Sequence, residues 1–172
     1  MDAIELSKTL RESARSNGLC DKWYNEWKDS CSPKDLADKM FKGLDFVLKL
    51  HWPSNDFIKE HFSLDFRREV NVFVDDKYSV ANPEQSLILG NSEITARFNG
   101  ASHGNIHVRD NSSLNLTAKN RSFVIIHLYD NAIVTVEQFD KASVIVIKHS
   151  HDVTVKASEN IKIKEEYDYL KK

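Results

Sequence analysis

The stretch Asp130–Ser150, DNAIVTVEQFDKASVIVIKHS, carries nearly the same ten-residue phrase twice: a polar turn, a small residue, then alternating apolar positions. The phrase extends well beyond these two copies. Ser92, Ser102, Ser112, Ser122, Ala132 and Ala142 recur ten apart, and all are small. Two residues on come Ile94, Gly104, Leu114, Val124, Val134 and Val144, and two further Ala96, Ile106, Leu116, Ile126, Val136 and Val146. Turn formers precede the small residue: Gly100, Asp110, Asn120, Asp130 and Asp140. The period inside each copy is two, which is the strand period. Because ten is even, every copy turns its apolar side the same way. A fixed period with one unit per repeat predicts a short parallel β-solenoid with two phrases per coil. The alternative is an antiparallel β-meander, in which reversed neighbours would place small residues at alternate edges of the sheet. The register drifts after Ser150, as expected where a terminal repeat closes an edge, and the charged tail Lys162–Lys172 suits that capping role.

If even offsets face inward, odd ones face out. Alternate copies then lie on opposite sides of the coil. One side carries Thr95, Arg97, Asn115, Thr117, Lys119, Thr135, Glu137 and Phe139, mostly polar. The other carries Asn105, His107, Arg109, Ile125, His127, Tyr129, Ile145, Ile147 and His149. Soluble monomers seldom leave such an apolar and aromatic patch bare. Either the N-terminal helices cover it, or it binds a partner through anchors such as Tyr129, Ile147 and Arg109. The candidate interaction face is therefore His107, Arg109, Ile125, His127, Tyr129, Ile145, Ile147 and His149. His107 and His127 stack in one column, but the next residue there is Ile147 and no carboxylate or thiol completes a ligand set, so no metal site is expected.

Residues 1–70 read as a helical cap region. Ile4, Leu6 and Leu10 begin an amphipathic pattern that fades at Asn17-Gly18. Trp23, Tyr24 and Trp27 share one face of a second short helix, and Ser32-Pro33 opens a third. That third helix carries Leu36, Met40, Phe41, Leu44, Val47 and Leu48 and should run to His51-Trp52, before Pro53. Ser54-Asn55-Asp56 caps another, with Phe57, Ile58 and Phe62 facing in. Trp23, Trp27, Phe41 and Phe62 are expected to be packing residues. Residues 71–90 form a strand and connector, 91–165 the repeat and 166–172 the charged tail. The fold class is thus α+β.

The 172 residues hold 24 basic and 26 acidic groups, for a net charge of -2, so there is no global pull towards nucleic acid or acidic lipid. Two cysteines, Cys20 and Cys31, are too few for a disulfide framework and read as free thiols. The N-terminus lacks the basic start and apolar run of a secretion signal, and no stretch approaches the ~20 apolar residues of a membrane span. A cytoplasmic protein without a membrane partner is expected.

Five glycines and no phosphate-binding loop argue against nucleotide sites, and no nucleophile elbow or metalloprotease signature is present. Asp110, Asp130 and Asp140 repeat at turns, which suits backbone capping; a catalytic site needs one copy. An enzyme is not expected, nor any cofactor.

FKGLDFVLKLHWPSNDFIKEHF (Phe41–Phe62), VFVDD (Val72–Asp76), HVRDNSSL (His107–Leu114) and HLYDNAIVTVE (His127–Glu137) together resemble a family of small proteins carried by bacterial prophages and other mobile elements. The likeness covers most of the chain and includes no catalytic motif. It implies a counter-defence context: stoichiometric inhibition of a host protein or ribonucleoprotein complex, such as a CRISPR effector, by a monomer or homodimer. The rival expectations are a self-assembling structural solenoid and a binder of RNA or single-stranded nucleic acid, through Lys119, Arg97 and Arg109 interleaved with Tyr129 and Phe139.

Overall fold

A computed structural model of the chain describes residues 2–28 and 32–168. Cys31 and the last four residues of the tail lie outside the described residues; Cys20 is an exposed free thiol. The chain divides into two units, Met1–Ser63 and Leu64–Lys172.

The first unit is helical: α1 (Ala3–Ser16), α2 (Asp21–Glu26), α3 (Pro33–Lys42), α4 (Leu44–Lys49) and α5 (Asn55–His61). Ser32 starts α3 with a capping box: its hydroxyl accepts from the Asp35 N–H at 3.2 Å while the Asp35 carboxylate accepts from the Ser32 N–H at 2.8 Å. Those bonds hold the Asp35 carboxyl below the usual carboxylate range. Ser54 caps α5 by accepting from the Phe57 N–H. The expected single helix from Ser32 to His51 is instead broken at Gly43 (φ -102°, ψ 43°), whose N–H closes α3 on the Lys39 carbonyl. Glycine is poor in a helix interior and exposes the backbone there. The break lets Val47 and Leu48 turn inward along with Leu36 and Met40. Two indoles tie loops to α1: the Trp27 Nε1–H donates to the Ser7 hydroxyl at 2.9 Å and the Trp52 Nε1–H to the Ser13 hydroxyl at 2.8 Å.

The second unit opens with a sixth helix, α6 (Leu64–Glu69), followed by β1 (Val72–Val74), β2 (Lys77–Ala81), β3 (Gln85–Leu89), β4 (Glu93–Phe98), β5 (His103–Val108), β6 (Ser113–Ala118), β7 (Phe123–Leu128), β8 (Ile133–Gln138), β9 (Ser143–Lys148), β10 (Thr154–Ala157) and β11 (Lys162–Glu165). The strands form two sheets, which we call A (β1-β3-β5-β7-β9-β11) and B (β2-β4-β6-β8-β10). Every ladder is parallel. The chain is thus a β-solenoid with two phrases per coil, and the meander is excluded. Residues 71–90 belong to the coil, since β1, β2 and β3 already pair in it.

Like lies on like. In sheet A, Ile106, Ile126 and Val146 stack in one inward column; in sheet B, Ile94, Leu114 and Val134 do the same. All are at most 1% exposed. The turns repeat as strictly. Asp110, Asn120, Asp130 and Asp140 have φ between 52° and 62°, the left-handed region that asparagine and aspartate tolerate. Their side chains bridge coils: the Asp110 carboxylate accepts from the Gly90 N–H (2.6 Å), that of Asp130 from the Asp110 N–H (3.2 Å), and that of Asp140 from the Asn120 N–H (3.2 Å). The repeating acid therefore satisfies backbone donors of the coil before its own.

The two ends of the coil differ. At the start, α6 packs on β1, the Arg67 guanidinium donates to the Val74 carbonyl, and Arg68 pairs with Asp76 through two bonds of 2.9 and 2.7 Å. The Arg68 hydrogen bonds keep the Asp76 carboxyl below its ordinary range. At the far end two of the inward columns finish on polar groups, while others finish on Val155, Ala157 and the 49%-exposed Ile163. Phe98 and Ala118 are followed by Gln138, whose side-chain oxygen accepts from the Val144 N–H. Val108 and Leu128 are followed by Lys148 and Glu165, an ion pair at 3.5 Å.

Candidate functional site

The outward residues of sheet A fall on one face. Asn105, Ile125, Ile145 and Lys162 form one column and Leu87, His107, His127, Ile147 and Lys164 the next, with Arg109, Tyr129 and His149 just beyond the strands. The eight candidate residues are thus brought together, but they are not offered to solvent. Arg109 and Tyr129 are each 1% exposed, His149 3%, His107 5% and Ile147 8%, while Ile125, His127 and Ile145 are half-buried.

At the heart of this face four rings stack. His107 lies 4.5 Å from His127, His127 5.3 Å from His149, and His149 4.6 Å from Tyr129, with interplanar angles of 13°, 4° and 11°. Because the Glu166 carbonyl can only accept, the His149 Nδ1 carries the proton it donates there at 3.1 Å. The His149 Nε2 is then an acceptor, and the His127 Nδ1–H donates to it at 3.0 Å. The His107 Nδ1 lies 3.3 Å from the Tyr129 hydroxyl, and its buried Nε2 has no partner. Arg109 pairs with Asp110 at 3.0 Å.

Burial, reinforced by the neighbouring imidazoles, pushes His107 down to about 3 and His127 to about 4; burial also lowers His149. At neutral pH these rings hold no positive charge, so His107 and His127 are not poised there as general acids. What the stack can do is pack and hydrogen-bond, and it makes folding sensitive to acid. An unfolded histidine takes its proton near pH 6.5. Folded His127 refuses it until about pH 4 and His107 until about pH 3, so the unfolded state binds more protons in between and stability falls as pH drops through that window. Each unit of depression corresponds to at most ~1.4 kcal/mol per ring. The melting temperature should therefore fall steadily from pH 7 to pH 4.5. His107→Phe, which keeps the stack and removes the unpartnered nitrogen, should flatten that slope; an unchanged slope would place the acid sensitivity elsewhere.

Sheet B is the open one. Its outward columns are Lys77, Glu93, Ser113, Ile133 and Thr154; Ser79, Thr95, Asn115, Thr135 and Lys156; and Ala81, Arg97, Thr117 and Glu137. All are exposed except Ser113, Thr95, Thr135 and Thr117, which are half-exposed. Ile133, the first residue of β8, is 39% exposed. The sequence places Thr95, Arg97, Asn115, Thr117, Thr135 and Glu137 on one side, as the pairings do, but nothing in their polar pattern marks that side as the accessible one. Among the described residues, no helix is long and apolar enough to cross a membrane. In comparisons with known proteins, no family model matches the chain, and no curated protein or solved structure matches it either.

Proposed function

We propose that the chain is a non-catalytic binding module that acts by stoichiometric occupation of a partner's surface, and that it does so through the outer face of sheet B. The observation that carries this reading is the exposure of all three outward columns of that sheet. Five strands about 4.8 Å apart and six residues at about 3.3 Å give a plate roughly 20 Å on a side. A flat plate fits a macromolecular surface, whereas small molecules need concavity. Its side chains stand on a preordered frame, so little ordering entropy is lost on docking. Opposite charges at Arg97 and Glu137, threonine hydroxyls and one apolar anchor at Ile133 are the groups a protein partner meets.

The setting implied by the sequence resemblance is counter-defence, with a host protein or ribonucleoprotein complex such as a CRISPR effector as the target. Two rivals are less well supported. Self-assembly end to end has against it Lys162 and Lys164 on the last edge strand and the Lys148–Glu165 pair at inward positions, both devices that discourage strand addition. Base stacking on RNA would need open aromatic faces, but Tyr129 is buried and the Lys119 ammonium already sits 5.2 Å from the Phe139 ring centre.

Affinity purification from a host carrying the defence complex, with bound protein and RNA both identified, tests this reading. Wild type should retain one partner at fixed stoichiometry. The double variant Arg97→Glu, Ile133→Arg should lose it with an unchanged melting temperature, because both side chains are exposed. A partner kept by the variant would move the interface off sheet B; no partner at all would remove the reading.

A further inference from the structure

The helical unit holds a cavity of about 480 Å³ that sheet B and its proposed partner do not involve. It lies among residues 10–62, wholly within the first unit. Its walls are aromatic and aliphatic: Trp23, Trp27, Phe46 and Trp52, with Met40 and Phe62. Trp23 is 48% exposed although it lines the cavity, so this indole is a wall open to solvent instead of the packing residue its spacing suggests. Phe46 and Trp52 meet edge to face, with centroids 5.7 Å apart at 69°.

Three features select what fits. The volume lies within the ~300–1,000 Å³ typical of small-molecule sites. The Nε1–H groups of Trp27 and Trp52 are already given to Ser7 and Ser13, so these indoles present ring faces and edges and no donor. The charged groups around the cavity balance: Glu26 and Asp45 against Lys39 and Lys42. One of them, the Lys39 ammonium, lies 5.4 Å from the centre of the Trp27 ring. A net-charged ligand gains nothing from such a rim, and a strongly hydrogen-bonding one would lose its water without replacement. A ring-bearing apolar molecule would gain the dispersion and edge-to-face contacts that these aromatic walls provide.

We propose that this cavity is a binding site for an uncharged, ring-bearing apolar small molecule. The site is independent of the sheet B reading and stands or falls without it.

N-phenylnaphthylamine, a neutral two-ring fluorophore, is the probe. Titrated into the full chain with excitation of the tryptophans, it should quench their emission and gain its own, saturating at one probe per chain. Met40→Trp, which fills the cavity, should weaken binding by about tenfold or more. If that variant does not fold by circular dichroism, Leu19→Trp, at a half-buried lining position, takes its place. No saturable transfer in the folded wild type would overturn the proposal, as would several equivalent sites or undiminished binding by a folded filled variant. Tighter binding of the anionic analogue anilinonaphthalene sulfonate would overturn the assignment to an uncharged ligand.

Discussion

Charge reversal at Arg109 (Arg109→Glu) is expected to unfold the solenoid, or to bring its urea midpoint close to zero. The guanidinium is 1% exposed and paired with Asp110 at 3.0 Å. Removing one member of a buried pair costs ~3–5 kcal/mol, because the other charge stays behind without compensation. Reversal adds a second carboxylate beside Asp110, whose own oxygens already hold the Gly90 N–H. Whole domains have only ~5–15 kcal/mol of stability to lose. Tyr129→Ala should be comparably severe, at ~3–5 kcal/mol for an emptied aromatic site. Tyr129→Phe should cost only about 1 kcal/mol, for the hydroxyl opposite His107. Denaturation followed by circular dichroism checks all three. Normal midpoints for Arg109→Glu and Tyr129→Ala would mean that these side chains lie at a free surface, and sheet A would return as the candidate binding face.

The second large effect lies in the core. At the repeat position held by Ile94, Leu114, Val124, Val134 and Val144, one copy has Gly104. The Phe98 ring occupies the space: a Cβ on Gly104 would sit 2.4 Å from the Phe98 Cζ and 2.9 Å from the Pro83 carbonyl oxygen. Gly104→Val, although it restores the consensus of the repeat, should therefore destabilise by ~3 kcal/mol or more, at the upper end of overpacking penalties. Phe98→Ala should cost ~3–5 kcal/mol through the cavity it leaves. Combining Phe98→Leu with Gly104→Ala should be milder than the sum of the two single changes, with a coupling of ~0.5–3 kcal/mol. A Gly104→Ala variant as stable as wild type would show that the ring moves aside easily and would remove this account.

The exchange of Phe98 for Gly104 shows where reading the chain stops. The repeat lacks a side chain at Gly104 and the sequence shows the gap, but not what fills it, because Phe98 belongs to the preceding strand and the other sheet. Gly43 is similar. The apolar spacing from Leu36 to Leu48 continues across it, so periodicity predicts one helix, while the backbone closes α3 on Lys39 and restarts. Asp110, Asp130 and Asp140 are legible as turn residues, and their φ values agree. That their carboxylates serve the neighbouring coil follows only from stacking twenty residues apart. Trp23 and Trp27 share the same helical spacing as core aromatics, and only packing makes both line a cavity and leaves Trp23 48% exposed.

The period of two within a period of ten is local information. It sets which side chains point in and favours parallel coils, and the parallel ladders then bring Ile106 over Ile126 and Thr95 over Asn115. The eight residues from His107 to His149 are gathered on one face for the same reason. Whether that face or its opposite meets water is not local. It is set by the solvent access of each side chain in the folded state, and burial, not spacing, fixes the neutral state of His107 and His127, the weight carried by Arg109 and the openness of sheet B.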